Sequence, residues 1–279
     1  MKAALRYAPA VVVAAWALLA LLAPWLPLEP NALELERILH PPEVSAETAS
    51  FSGLMGFDEL GRPLLDRLVQ GARTSFIVAI AVVSISLLFG TVVGMLSAWI
   101  GGRWDHALMR VVDVFLAFPG ILLAIALAGV LGPGLNNVIM ALCAAGWVGF
   151  ARLARAQSLS VKHREHVMAA RALGVSDFNI LRRHILPYIV APLIVEASFG
   201  VAAVVIAEAG LSFLGLGVQP PEASWGTILR EGTRYMLVAP HVVVGPSLML
   251  LVVVLSVNLL GDRLRDRLDI RRRWQNGGL

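Results

Sequence analysis

The 279 residues are 58% hydrophobic and 15% charged, with a mean hydropathy of +0.76. A soluble domain of this length carries about 25% charged residues, so this chain has too few polar groups to clothe a water-facing surface, and its excess apolar side chains must meet lipid. The formal charge of +4 comes without a block of basic and aromatic residues, which excludes a nucleic-acid partner, and the single cysteine, Cys143, excludes a disulfide framework or a cysteine-based metal site.

About 20 apolar residues at 1.5 Å each cross the hydrocarbon core, so charge-free stretches mark the spans. The first is Tyr7 to Leu28. Lys2 and Arg6 before it also suit a signal peptide, but the stretch ends Pro24-Trp25-Leu26-Pro27 with no small-residue cleavage site, and Trp25 suits an interfacial anchor, which favours a retained helix. The second runs from Thr74 to Gly102 and holds Gly90 and Gly94 at the spacing that lets helices approach closely. Val114 to Ala151 is uncharged and too long for one crossing, and the turn signal Gly132-Pro133-Gly134 divides it in two. A fifth span is predicted from about Tyr188 to Phe213 and a sixth from about Pro240 to Gly261. The fold class is therefore all-α, a polytopic membrane protein of six transmembrane helices.

With the N-terminus inside, Lys and Arg divide 17 inside to 6 outside, out of 23. This asymmetry places both termini in the cytoplasm. The organisation that follows is an N-terminal helix (1–28), an extracytoplasmic segment (29–73), a core of five helices (74–262) with a cytoplasmic loop at 152–187, and a cytoplasmic tail (263–279). An outer loop at 214–239 carries Pro220-Pro221 and Trp225.

The cytoplasmic loop reads as structured. Val161 to Leu173 is built of good helix formers, Gly174 stands where a helix end wants positive φ, Ser176 can cap a second helix, and Pro187 can sit in the first turn of the fifth span. This helix–turn–helix elbow suits either a docking element or a basic amphipathic hairpin on the lipid surface.

Ionisable residues in or beside a span are functional candidates. Asp113 lies three residues after Arg110, close enough to pair with it structurally. Glu208, roughly 30 Å beyond Tyr188, reads as an outer-boundary residue, solvated or capping a loop. Glu196, roughly 12 Å beyond Tyr188, is the better candidate for a polar pathway, the alternative being an interhelical hydrogen bond. The six histidines form no metal site, because His163 and His166, one turn apart, lack a third ligand. A nucleotide-cradling Gly-x-x-x-x-Gly-Lys-Ser/Thr loop, a Gly-x-Ser-x-Gly elbow and a His-Glu-x-x-His helix are all absent, which argues against an ATPase, a hydrolase or a metalloprotease. No catalytic residue and no cofactor is expected. A secondary carrier would show inverted repeats, and the chain has none.

The segment Arg164-Glu165-His166-Val167-Met168-Ala169-Ala170-Arg171-Ala172-Leu173-Gly174, followed by Ile185-Leu186-Pro187, resembles the "EAA" loop of binding-protein-dependent ABC importer permeases, in the version of the dipeptide/oligopeptide/nickel family. Asp58-Glu59-Leu60-Gly61-Arg62, Arg110-Val111-Val112-Asp113 with Leu116-Ala117-Phe118-Pro119, the run from Glu208 to Trp225-Gly226, and Asn258-Leu259-Leu260-Gly261-Asp262 are similar to further segments of that family, in its C-type subunit. The resemblance covers residues 56–270. It implies an ATPase-coupling loop at Glu165, Ala169, Ala170, Arg171, Gly174 and Pro187. The usual acidic residue of the motif is Met168 here. It also implies an inner (plasma) membrane location and import of peptides, nickel chelates or another small solute. The implied partners are a second, homologous permease, two cytoplasmic ATP-binding subunits and an extracytoplasmic solute-binding protein.

Overall fold

The computed structural model describes residues 2–42 and 51–268, and residues 43–50 of the outer segment and 269–279 of the tail, with Arg271, Arg272 and Arg273, lie outside them. The described residues are predominantly helical and contain no β-strand, only an isolated antiparallel bridge between Phe57 and Pro63. In chain order the helices are α1 (Lys2–Leu22), α2 (Leu64–Ile100), α3 (Gly102–Leu116), α4 (Gly120–Leu131), α5 (Leu135–Lys162), α6 (Glu165–Ala172), α7 (Asp177–Ile180), α8 (Leu186–Phe213), α9 (Trp225–Gly232) and α10 (His241–Leu268).

Five of the helical segments are long and apolar enough to cross a membrane, and counting one bent pair as a single span brings the number to six. The predicted third span is that pair. α3 and α4 meet at 84° instead of forming one helix through Val114. Pro119 is the cause: it has no N–H to donate and it drives the preceding Phe118 out of helical geometry. The 12 residues of α4 reach only about 18 Å, short of a full crossing.

α2 begins at Leu64, well before the charge-free stretch at Thr74, and its 37 residues extend about 55 Å. Its first turns therefore rise out of the hydrocarbon layer and carry Asp66, Arg67 and Arg73 with them. At its middle and inner end α2 lies against α5. A methyl group added at Gly90 would come within 2.7 Å of the Phe150 Cβ, and one at Gly94 within 2.9 Å of the Ala154 Cβ. With no hydrophobic drive between helices in lipid, this backbone-to-backbone approach supplies the packing that holds the pair together.

Four apolar clusters surround the α2–α5 seam, the smallest joining Val112 of α3 to Val148 and Ala151 of α5. The outer one joins Trp16 of α1, Leu64, Leu68 and Ala72 of α2, Trp225 and Ile228 of α9, and Val242 of α10. Indole N–H groups of Trp16 and Trp225 donate to the carbonyls of Ala72 and Leu68, each at 3.0 Å, so both rings are buried without an orphaned donor. The middle cluster packs α4 and α5 on Val78 and Val82, and the inner one packs α6 and α7 beneath α5 and α8.

Replacing Gly94 by leucine is expected to lower the melting temperature in detergent sharply, because Ala154 and backbone, not a flexible side-chain tip, obstruct the new atoms. Gly129→Ala in α4, whose added methyl meets nothing within 4 Å, should leave it unchanged or raise it slightly.

Candidate functional site

The elbow between α5 and α8 is built from two chain reversals. The expected single helix over Val161–Leu173 is interrupted at His163-Arg164. Lys162 draws the end of α5 onto the inner end of α2, donating to the carbonyls of Ala98 (2.8 Å) and Trp99 (2.7 Å), where a cation neutralises the negative helix terminus. The chain then turns so that Val167 and Ala170 of α6 bury against Val161, Ile180 and Ile185. α6 ends on Gly174, whose φ of +77° allows the N–H of Val175 to reach the Ala170 carbonyl (3.1 Å) and its own N–H to reach that of Arg171 (3.1 Å). These two bonds close a Schellman motif, so the last carbonyls of α6 are satisfied within the loop.

Ser176 occupies the N-cap position of α7, but its hydroxyl accepts from the Asn179 side chain (3.0 Å) and makes no cap bond. α7 runs on into α8 through a π-helical turn at Leu181–Ile185. Pro187, lacking an N–H, stands in the first turn of α8, and the Leu186 N–H reaches back five residues to the Leu181 carbonyl. Of the six loop residues singled out from sequence, Glu165, Ala169, Arg171, Gly174 and Pro187 are exposed and Ala170 is buried. Met168, Leu173 and Phe178 are exposed as well, Leu173 at 83%, which sets apolar side chains among the charged ones on the outward side of the elbow.

Arg110 and Asp113 do not form the expected pair: both side chains are exposed and no ion pair within 4.0 Å joins them. The buried acid at this end is Asp105. It accepts Nε and Nη2 of Arg155, both at 2.6 Å, and Oγ of Ser97 at 2.5 Å, tying α2, α3 and α5 together. The sequence pointed to Arg110 because i,i+3 spacing is visible along one helix, whereas Asp105 and Arg155 meet only after α3 folds back.

The two membrane carboxylates part company. Glu208 is completely buried instead of solvated, and accepts hydrogen bonds from Ser75 of α2 (2.9 Å) and Ser212 (2.7 Å). The cover comes from residues 214–227, which fold back over the end of α8. They seat so tightly that a methyl at Gly226 would lie 2.8 Å from the Ala209 Cα. Glu196 is exposed and lines a cavity of about 490 Å³ with Pro192, Phe199, Leu153 and Arg265.

At the end of the bundle predicted to face outward, Asp58, Glu59, Arg62, Arg67 and Glu231 form one network. Arg67 bridges Asp58 (2.5 Å) and Glu231 (2.9 Å), and Arg62 binds Asp58 (2.6 Å), Glu59 (3.0 Å) and Glu231 (3.1 Å). The three carboxylates lie within 4.8 Å of one another, but the two guanidinium groups interleave them. Residues 29–42 of the acidic segment are laid against this turn by backbone bonds from Glu34 to Gly61 and from Leu39 to Asp58. Burial pushes the Glu59 carboxyl above its ordinary range, against its backbone hydrogen bond, and the charges of Asp58 and Glu231 push the same way.

Residues 90–274 match the binding-protein-dependent transport system inner membrane component family. The chain belongs to that family. The permease is 41% identical over 259 residues to a putative peptide transport system permease protein of Brucella abortus, covering 92% of this chain and 85% of the relative. It is 43% identical over 223 residues to the glutathione transport system permease protein GsiD of Pectobacterium atrosepticum, covering 80% and 74%. A chain of the inward-facing MetNI methionine ABC transporter superposes with a TM-score of 0.61 at 19% identity, over 74% of this chain and 98% of that one, which establishes a shared fold. The permease is thus a multi-pass inner-membrane subunit of an ABC importer.

Arg67→Met leaves Asp58 buried with one of its two guanidinium partners and should cost about 3–5 kcal/mol, read as a large drop in melting temperature. The outer network also gives a pH dependence. With its pKa raised in the folded state, Glu59 binds its proton more tightly there than in the unfolded chain. Its contribution is most favourable below the ordinary value of 4.5 and declines as pH rises through the raised value. Glu59→Gln should therefore gain on the wild type in melting temperature as pH rises from about 4 to about 8. A gap that closes with rising pH would mean that pairing with Arg62, not burial, dominates.

Proposed function

We propose that this permease forms one half of a translocation pathway for peptides, paired with a homologous permease, and that α6 is its docking element for a cytoplasmic ATP-binding subunit. The observation that carries the reading is the construction of the elbow. α6 buries Val167 and Ala170 and closes its own end on Gly174, and the elbow turns the apolar side chains of Met168, Leu173 and, on α7, Phe178 outward. A lipid-surface hairpin would set its basic residues beside its apolar face with both ends at one depth. Here two of the loop's basic residues, Arg164 and Arg171, instead lie over rings of α8 and α2. With the loop inside, both termini lie in the cytoplasm, in keeping with the excess of Lys and Arg on that side. Peptide substrates are favoured by the relatives named as peptide and glutathione permeases.

Alternating access follows from this arrangement. ATP-driven closure of two ATP-binding subunits would draw the two elbows together, and the seam of α2 and α5 would carry that displacement into the membrane. Substrate would arrive from an extracytoplasmic binding protein at the outer loops. Glu196, exposed on α8 beside the inner cavity, would face the polar pathway, since a charge on lipid would cost several kcal/mol. Met168 stands where the family motif is usually acidic, so the ATPase contact here would be apolar.

Gly174→Leu tests the docking element. An added Cβ meets nothing within 4 Å, so insertion and folding should survive, while the positive φ strains any L-residue by about 1–2 kcal/mol and the new bulk points at the partner. The variant should assemble in membranes yet lose peptide uptake into proteoliposomes and recover less ATP-binding subunit on affinity purification. Normal uptake would remove the docking reading.

A further inference from the structure

α6 is gripped at both ends, each time by a cation over an aromatic ring, and the two rings belong to different membrane-spanning helices. At its start the Arg164 guanidinium lies 5.5 Å from the centroid of the Tyr188 ring on α8, and His166 stacks on the same ring at 4.9 Å. In its last turn the Arg171 guanidinium lies 5.6 Å from the centroid of Trp99, close to the inner end of α2. The same indole also receives Lys162, whose Nζ lies 5.5 Å from the centroid while donating to the carbonyl of Trp99 itself. Trp99 packs against the inner apolar cluster that contains Val167 and Ala170, so its ring sits between α6 and α2 and away from the outward face of the elbow.

The two attachments differ in mechanical effect. On the α5 side, α6 is joined to the chain by His163-Arg164, two residues that belong to neither helix, so that link alone leaves a short helix free to swivel. A second tie at its far end removes that freedom. With Arg171 seated on Trp99, displacement of α6 must carry the inner end of α2, and α2 is in turn locked to α5 at Gly90, Gly94 and the Ser97–Asp105–Arg155 contact.

We propose that Trp99, through Arg171, is the positioning residue that converts movement of the docking helix into movement of the α2–α5 pair. The inference rests on the docking reading above and adds the route by which the displacement leaves the elbow. Removing the ring would let α6 swivel on His163-Arg164, so nucleotide would be bound and hydrolysed without moving α2.

The test uses the whole transporter, purified through a tag on this chain and reconstituted in proteoliposomes. Native Cys143 is replaced (Cys143→Ala), and spin labels are placed at Ile100→Cys on α2 and Leu259→Cys on α10. Both positions are exposed, and their separation is read with and without trapping by Mg-ATP and vanadate. The reference protein should show a shift in this distance on trapping. Trp99→Leu, which keeps an apolar side chain in the cluster, should retain the ATP-binding subunits and their ATPase activity but lose the shift. Trp99→Phe, which keeps a ring face for the guanidinium, and Arg171→Lys, which keeps the cation, should restore it. Arg171→Met should lose it, with no further loss when combined with Trp99→Leu.

A Trp99→Leu protein that keeps the full shift overturns the proposal, as does a reference protein in which trapping leaves the distance unchanged. If Trp99→Leu loses the ATP-binding subunits themselves, the residue serves docking or folding and the proposal fails. Trp99→Phe behaving like Trp99→Leu would show that the ring face is not what matters, and the proposal fails in that case too. Failure of the underlying reading looks different: no ATP-binding subunit would co-purify even with the reference protein.

Discussion

The close approach of α2 and α5 is the constraint on which the remaining architecture depends. Lipid tails are as apolar as leucine, so burying apolar side chains between these helices gains little, and the contact must come from dispersion between backbones brought within a few ångströms. Gly90 and Gly94 make that possible, with Ala151 and Ala154 opposite. Every other element is placed relative to this pair. α8 packs against both helices, α4 lies along α5, α3 is fastened to them through Asp105, and the elbow hangs from their inner ends by Lys162.

Polar chemistry is concentrated at the two ends of the seam and is satisfied differently at each. At the end predicted to face outward, five charged side chains, three of them buried, form a network whose components come from the turn before α2, its first turns and α9. Removal of any one member leaves others desolvated, so the network specifies a single arrangement of the outer loops more than it adds stability. At the other end Lys162 rests on a helix terminus, Arg155 on a carboxylate and Arg171 on a ring. Between these ends the membrane interior holds Glu208 with two serine partners, a group that anchors α8 to α2 just below the outer network.

What the sequence made legible followed from local rules. Charge-free runs located the spans, Gly90 and Gly94 announced a close helix contact, and Gly174 marked a helix end at the residue where φ is positive. Fold class, membrane location and family were readable from composition, spacing and ordered motifs. The misread features depend on what folding brings together. The bend at Pro119 was hidden within an uncharged run whose more obvious break is Gly132-Pro133-Gly134. Arg110 and Asp113 had the spacing of a pair, yet the acid that matters at that end, Asp105, finds its partner fifty residues away. Glu208 looked solvated because its cover, residues 214–227, follows it in the chain and returns over it. Trp99 carried no motif, and only its position beneath Arg171 and Lys162 gives it significance.

The Schellman closure of α6 has a consequence for how partners recognise one another. A helix that satisfies its own terminal carbonyls asks nothing of another protein's backbone, so the proposed docking face is spelled out in side chains alone: Met168, Leu173 and Phe178 among its apolar ones. Such a surface behaves as a replaceable code on a fixed carrier. Its letters can change polarity, as the methionine in a customary acidic position illustrates, without disturbing the fold that presents them, provided the facing groove changes in step. Related transporters within one cell could keep their engines from being exchanged by this means, with mismatched pairs rejected through stranded charges or unfilled apolar pockets and identical scaffolds retained throughout.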